Sequence, residues 1–207
     1  MKRLFLFVAL ITLPFPLAPQ NQTDASADDY KVYEAVLDLM DQIPKDDPHV
    51  TIFNITLNDK CDAGAPLPLA NGCSFLAIKP DTMADVKKVL RTGWKDMEAS
   101  TWSDFQAKAT TSLRLHDPIV TPWKHKLVGP ADDPLPEEWQ SPDLTLFLSR
   151  VGFNKAHTEA IVYVLTFSYM DQVRSGGDYF LFRIDKSGKW TPNGRINYFR
   201  TEQHSSP

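Results

Sequence analysis

The stretch from Leu144 to Arg200 constrains the fold of this chain more strongly than any other part of its sequence. Three segments rich in β-branched and aromatic residues follow one another there: LTLFLSRVGFN, TEAIVYVLTFSYM and GDYFLFRIDKSGKWTPNGRINYFR. Gly, Asn, Asp or Ser residues close each segment, which is the pattern of an antiparallel meander. We therefore expect this stretch to form the sheet against which the rest of the chain packs.

The second of these segments predicts a strand in the middle of the sheet. Its alternate residues are apolar on both faces, with Ile161, Tyr163, Leu165 and Phe167 on one face and Ala160, Val162 and Val164 on the other. Because both faces are apolar, we expect both to be covered by other parts of the chain.

The third segment predicts a hairpin and an edge strand. The turn Asp185-Lys-Ser-Gly188 places Gly188 at a left-handed position, and it sets Trp190 opposite Ile184. Pro192 has no backbone N–H to donate to a neighbouring strand. The last strand should therefore be an edge of the sheet or be bulged around Pro192-Asn193-Gly194.

Apolar residues at helical spacing predict two amphipathic helices before the meander, one over 28–43 and one from 81 to about 98. Ser26 with Asp29 has the spacing of a capping box for the first helix, and Asp81 is the expected cap of the second. Gly93 marks a kink or an earlier end of the second helix. Ser103 is the expected cap of a third, shorter helix that carries Phe105.

The remaining elements are short. Alternating apolar residues predict a strand over 49–57, and a second strand is expected over 124–128. Six prolines, at 118, 122, 130, 134, 136 and 142, exclude a long regular element from the region 114–143, which we expect to be a loop region.

Length and composition suit a single domain, since the chain has 207 residues and 43% of them are hydrophobic. We predict that residues 28–207 form one α+β domain. A mostly antiparallel sheet of four to six strands, including a C-terminal meander of three or four, should pack with two or three helices.

The N-terminus has the pattern of an export signal. Lys2-Arg3 precedes an apolar segment over 4–13, and Pro14 and Pro16 interrupt it before it reaches the roughly 20 residues that a membrane span needs. We predict a signal peptide over 1–27, cleaved after residue 18 or after residue 27. The alternative is an uncleaved membrane anchor. Cleavage would leave a periplasmic or extracellular protein without stable membrane insertion.

The chain has two cysteines, Cys61 and Cys73, which would close the loop CDAGAPLPLANGC in an oxidising compartment. A disulfide over so short a loop contributes roughly 3 kcal/mol by the loop-entropy argument. Zinc would need four ligands at compact spacing, and redox-active cysteines are usually two residues apart. We therefore favour a structural disulfide and expect neither a metal site nor a cofactor.

The charge balance argues against a nucleic-acid partner. The chain contains 22 Lys and Arg residues against 26 Asp and Glu residues, a net charge of −4, and no basic stripe. The sequence instead favours a small molecule or another protein as the partner.

No sequence motif of a hydrolase, a zinc protease, a phosphate-binding loop or an EF-hand occurs in the chain. His116 is the best of the dispersed histidines as an acid–base catalyst. Its neighbour Asp117 would face the opposite side of a strand and could not easily orient it. Catalysis by His116 is therefore a weak hypothesis.

Three residues of the meander are candidates for binding. Arg150 lies among apolar strand residues, where it would either bind an anion or pair with a carboxylate such as Glu159 or Asp185. We favour the pair, because buried charges are usually paired. Tyr163 and Arg183 would line the same face of the sheet if the strands are in register.

The meander also resembles a known family. The segments Ser149-Arg-Val-Gly-Phe-Asn154, Thr158-Glu-Ala-Ile-Val-Tyr-Val164, Gly177-Asp-Tyr-Phe and Gly188-Lys-Trp190 resemble the C-terminal half of a family of uncharacterised exported bacterial proteins, with the pattern SRVGFN, TxALVYV, GxGYY and GKW. This resemblance implies a bacterial source and an exported α+β domain, and no activity. The Gly-Lys-Trp hairpin is also similar to the closing strands of NTF2-like and cystatin-like domains.

Good core signals without a catalytic constellation favour an exported, non-catalytic binding or interaction module. One alternative is a small NTF2-like enzyme with an acid–base pocket between helix and sheet, lined by His116, Tyr163 and Arg183. Another is a structural homodimer formed through the sheet face that carries Ile161, Tyr163 and Leu165.

Overall fold

A seven-stranded mixed sheet forms the centre of the computed structural model, which describes residues 25–40, 50–57, 80–116, 119–129, 143–168 and 173–203. The elements in these ranges are, in chain order, α1 (Ala27–Leu37), β1 (Val50–Phe53), α2 (Pro80–Gly93), α3 (Ala99–Lys108), β2 (His125–Val128), β3 (Leu144–Leu148), β4 (Gly152–Phe153), β5 (Glu159–Ser168), β6 (Val173–Ile184) and β7 (Trp190–Gln203). The protein is thus of the α+β class, as its sequence predicts.

The strands lie in the order β2-β1-β3-β5-β6-β7, with β4 also paired to β5. All pairs from β3 to β7 are antiparallel, which confirms the predicted meander. β1 runs parallel to both β2 and β3, and this parallel part takes the sheet beyond the four to six strands expected.

Each face of the sheet carries its own hydrophobic core. Val32, Val36 and Leu37 of α1 pack on the face formed by Ala160, Val162 and Val164, while Trp102 and Phe105 of α3 pack on the face formed by Ile161, Tyr163 and Leu165. The prediction of a mid-sheet strand covered on both sides is confirmed. Burial of each large apolar side chain contributes about 1.5–3 kcal/mol.

This arrangement excludes the expected dimer surface. Ile161, Tyr163 and Leu165 are at most 1% exposed, because they lie beneath α3. A homodimer cannot form through these three residues while the domain remains folded.

α3 approaches the sheet closely at Gly152 of β4. A Cβ atom at this position would lie 2.5 Å from the Cβ and 2.6 Å from the Cα of Phe105. Any larger residue would push the helix away from the strand, so the glycine sets their distance.

The capping box of α1 is present as predicted. The Ser26 hydroxyl accepts a hydrogen bond from the backbone N–H of Asp29, whose carboxylate accepts one from the Ser26 N–H. The helix ends at Leu37, before the predicted 43.

Two other predicted caps are wrong. α2 begins at Pro80, so Asp81 lies inside its first turn. The helix ends at Gly93 rather than near 98, which confirms the prediction that Gly93 marks an earlier end. α3 begins at Ala99, which places Ser103 inside the helix, where its hydroxyl donates to the Ala99 carbonyl. Serine bonds to backbone carbonyls within helices as well as capping them, so composition alone did not separate the two roles.

The hairpin between β6 and β7 is confirmed in detail. Gly188 has a φ of +82°, and Trp190 pairs with Ile184. Phe182 pairs with Pro192 and Leu181 with Gly194, so the strand bulges at the predicted place. β7 is also an edge of the sheet, where a proline is tolerated.

Two predictions lie outside the described residues, namely the signal peptide, except for residues 25–27, and the Cys61–Cys73 disulfide. The predicted strand over 124–128 is present as β2. Of the helices in the described ranges, none combines the length and the apolar character that a membrane crossing requires.

Candidate functional site

Arg183, a predicted binding candidate, is held between two carboxylates. Its Nε and Nη2 donate to Oε2 of Glu159 at 2.9 and 2.7 Å, and its Nη1 donates to Oδ2 of Asp96 at 2.8 Å. The bonds to Glu159, and then those to Asp96, raise the pKa of Arg183 above its usual value. Hydrogen bonding to Arg183 in turn lowers the pKa of Asp96.

The other oxygen of Glu159 ties this pair to α3. Oε1 accepts from the Thr101 hydroxyl at 2.6 Å and from the backbone N–H of Glu98 at 2.8 Å. We call Asp96, Glu98, Thr101, Glu159 and Arg183 the Arg183 clamp. Glu159 is only 2% exposed, and all its oxygens have partners. The clamp joins the start of α3 to β5 and β6, and each guanidinium nitrogen of Arg183 donates at least one hydrogen bond.

Tyr163 lies on the same face of the sheet as Arg183, as expected. β5 and β6 pair Glu159 with Arg183 and Tyr163 with Tyr179, which proves the register. Tyr163 is nonetheless fully buried, with its ring 4.7 Å from that of Tyr179. Burial raises the pKa of Tyr179 well above its usual range. These tyrosines belong to the core.

His116 lies on the opposite side of the sheet. Its backbone N–H donates to the hydroxyl of Tyr30 in α1 at 2.6 Å, and it follows Leu115, which packs in the core beneath α1. The expected convergence of His116 with Tyr163 and Arg183 in one pocket is therefore wrong. Asp117 lies outside the described residues.

Arg150 lies in the short connection between β3 and β4. Its Nη1 donates to the hydroxyl of Thr111, three residues past α3, at 2.6 Å. The adjacent Ser149 carbonyl accepts from the hydroxyl of Tyr33 in α1 at 3.0 Å. We call Tyr33, Thr111, Ser149 and Arg150 the Arg150 rim.

The predicted pairing of Arg150 with Glu159 or Asp185 is wrong. Glu159 is bound by Arg183, and Asp185 accepts from the backbone of its own turn, at Ser187 and Lys189. Within the part of the chain that the structure describes, Arg150 forms no ion pair.

The guanidinium of Arg150 has an unfilled donor. Its Nε is buried and lacks a hydrogen-bond partner in the described ranges, although the side chain as a whole is only half-buried. Leaving a buried donor without an acceptor costs roughly 1–3 kcal/mol. In a native structure such a group calls for an explanation, and a ligand acceptor is one.

The positive charge of Arg150 affects the pKa of Tyr33. Burial raises the pKa of Tyr33 well above its usual range, Asp29 raises it further, and Arg150 lowers it. Asp29 itself is engaged by the backbone and hydroxyl of Ser26. The rim therefore retains positive charge beside a neutral tyrosine.

Sequence reasoning identified Arg150 but missed Thr111 and Tyr33 as its neighbours. These contacts join residues 39 and 116 positions apart, and no local pattern signals them. The helical spacing of Tyr33 indicated a core residue, which is correct for its ring.

In the described ranges, no group of three or more His, Cys, Asp or Glu side chains could hold a metal ion.

Comparison with protein-family models, with curated proteins and with solved structures finds no match for this chain. The resemblance to exported bacterial proteins therefore stays an expectation.

Proposed function

We propose that the protein is an exported, non-catalytic binding module that binds its ligand at the Arg150 rim. The observation that carries this proposal is the half-buried guanidinium of Arg150, which has one bond to a neutral hydroxyl and no ion pair among the described residues. A binding site needs polar groups whose interactions are completed by the ligand. Arg150 is such a group, and Arg183 is not.

The separation of the acid–base candidates favours binding over catalysis. General acid–base chemistry needs a donor and an acceptor within reach of one substrate. His116 lies on the α1 side, whereas Tyr163 and Arg183 lie on the α3 side. An NTF2-like acid–base pocket built from these residues has no support in their positions.

The proposed context is the periplasm or the cell exterior. It rests on the export signal predicted over 1–27 and on the two cysteines, for which we propose a structural disulfide between Cys61 and Cys73. Analysis of the purified, exported protein by intact mass, before and after reduction, tests both features. A mass that includes residues 1–18 would contradict signal cleavage. A mass that does not increase by two hydrogens on reduction would contradict the disulfide.

A thermal-shift panel tests the function. Citrate, glucose 6-phosphate, glucose and spermidine serve as anionic, neutral and cationic probes, and mass spectrometry checks each probe after incubation. We expect at least one probe to raise the melting temperature and to be recovered unchanged. The shift should vanish in Arg150→Ala and persist in Arg91→Ala, which removes an exposed arginine from α2.

Two results would overturn the proposal. One is the absence of any shift across the panel. The other is chemical conversion of a probe by the unchanged protein but not by His116→Ala, which would favour the enzyme instead.

A further inference from the structure

We propose that the Arg150 rim binds an oxyanion group, a carboxylate or a phosphate, of a small ligand. This inference rests on the proposed binding function and names the ligand chemistry of the same site. Three features of the described residues carry it: the free edge of the guanidinium, the contact that orients it, and the burial of Nε.

The clamp shows what the free edge of Arg150 lacks. Arg183 uses its Nε and Nη2 together on Glu159 and leaves Nη1 for Asp96. Arg150 uses Nη1 on Thr111, and its Nε is left without an acceptor in the described part of the chain. The edge that binds a carboxylate in Arg183 thus has no acceptor in Arg150 among the described residues. Planar oxyanions match this edge geometrically.

Thr111 orients the guanidinium before a ligand arrives. Its hydroxyl accepts from Nη1 of Arg150 at 2.6 Å and donates to the Lys108 carbonyl at 3.4 Å, so it is anchored to the end of α3. On the other side, Tyr33 directs its hydroxyl to the Ser149 carbonyl and does not compete for the ligand. An oriented guanidinium loses less rotamer freedom on binding, which favours affinity.

The burial of Nε favours a small ligand over a protein surface. Nε is covered by protein atoms although the side chain is half-buried, so these atoms must shift before an acceptor can reach it, and a narrow group needs the smallest shift. One carboxylate or phosphate of a small molecule meets this requirement. A flat surface of a partner protein does not.

The arginine Nε–Hε resonances in ¹H–¹⁵N NMR spectra report on this site directly. The purified protein is titrated with sodium phosphate and, separately, with sodium acetate, with sodium chloride at matched ionic strength as the control. Arg150→Lys assigns the Arg150 signal, because lysine keeps the charge and lacks Nε. We expect a saturable shift of that signal with phosphate, acetate or both, and no saturable shift of the Arg183 signal.

Affinity measurements on two variants complete the test. Arg150→Lys should weaken the affinity for the responding anion about tenfold or more, because the two-point contact is lost. Arg91→Ala should leave that affinity unchanged. Whichever anion saturates the signal identifies the chemical source of the oxyanion.

The inference is overturned if neither phosphate nor acetate changes the chemical shift of the Arg150 signal. It is also overturned if sodium chloride changes that shift as much as both anions do. Its failure can be distinguished from failure of the binding function. Suppose that glucose or spermidine raises the melting temperature, that this rise is lost in Arg150→Ala, and that neither anion moves the Arg150 signal. The proposed binding function is then retained and the oxyanion assignment is rejected.

Discussion

The Arg183 clamp and the Arg150 rim place the same side chain in two opposite situations. Arg183 meets Glu159 across the β5–β6 pair and Asp96 beyond it, so every nitrogen donates to a carboxylate or a carbonyl. Arg150 meets a neutral hydroxyl and keeps an unfilled Nε among the described residues. The comparison shows that the neighbours supplied by the fold, rather than the residue type, separate a structural arginine from one that we propose to bind a ligand.

The largest expected effect comes from breaking the clamp at Glu159. Glu159→Ala removes the acceptor for Arg183, for the Thr101 hydroxyl and for the Glu98 N–H at once. We expect the free energy of unfolding to fall by about 3 kcal/mol, measured by urea denaturation. Asp28→Ala, which removes exposed pairs with Lys31 and His157, is the control and should cost no more than about 0.5 kcal/mol. Equal losses in the two variants would mean that the clamp is not structural.

A smaller effect is expected from Tyr33→Phe, which separates the structural part of the rim from its binding part. The variant removes the hydrogen bond to the Ser149 carbonyl and keeps the packing of the ring. The free energy of unfolding should fall by about 1 kcal/mol. Because Arg150 and Thr111 are untouched, binding of the anion that shifts Arg150 should persist, as followed by NMR titration. Loss of binding at unchanged stability would instead place the Tyr33 hydroxyl in the site.

The smallest expected effect is on acid sensitivity. Hydrogen bonding to Arg183 holds the pKa of Asp96 below its ordinary value of 3.8. A carboxylate with a lowered pKa in the folded state stabilises the fold above its unfolded pKa, and this stabilisation is lost as the pH falls through the folded pKa. Asp96→Asn should therefore flatten the loss of stability as the pH falls below about 4.

Arg150→Ala provides the contrast in the same acid titration. Since Arg150 has no carboxylate partner in the described ranges, its removal should leave the acid-dependent slope unchanged. Melting temperatures between pH 7 and pH 2 measure both slopes. If the melting temperature of Arg150→Ala depends less steeply on pH than that of the unchanged protein, a carboxylate must interact with Arg150. The rim and the clamp would then no longer differ in this respect.

The fold could be predicted best where the backbone preferences of single residues determine the local structure. Gly188 must adopt a left-handed turn, Pro192 must avoid a central strand, and both set the register of β6 and β7. Parallel pairing of β1 with β2 and β3 could not be predicted. Those contacts join residues 75 to 94 positions apart, and such short strands carry no signal of their partners.

For the candidate site, the sequence indicated the key residue, Arg150, but not the residues that contact it. Arg150 stood out as a charge among apolar strand residues. Its partner could not be chosen, because Glu159 is equally plausible for Arg150 and Arg183 until the register of β5 and β6 is known. That register assigns Glu159 to Arg183, and the assignment leaves Arg150 unpaired in the described structure.

The most direct test of this account compares Arg150→Ala with Arg183→Ala in thermal melts with and without sodium phosphate, or sodium acetate if only acetate shifts the Arg150 signal. A ligand that binds the folded state alone raises the melting temperature as its concentration exceeds its Kd. We predict that Arg183→Ala melts lower than the unchanged protein and is still stabilised by the anion. Arg150→Ala should melt near the unchanged protein and gain nothing from it. Stabilisation of Arg150→Ala by the anion, equal to that of the unchanged protein, would contradict the assignment of the Arg150 rim as the binding site.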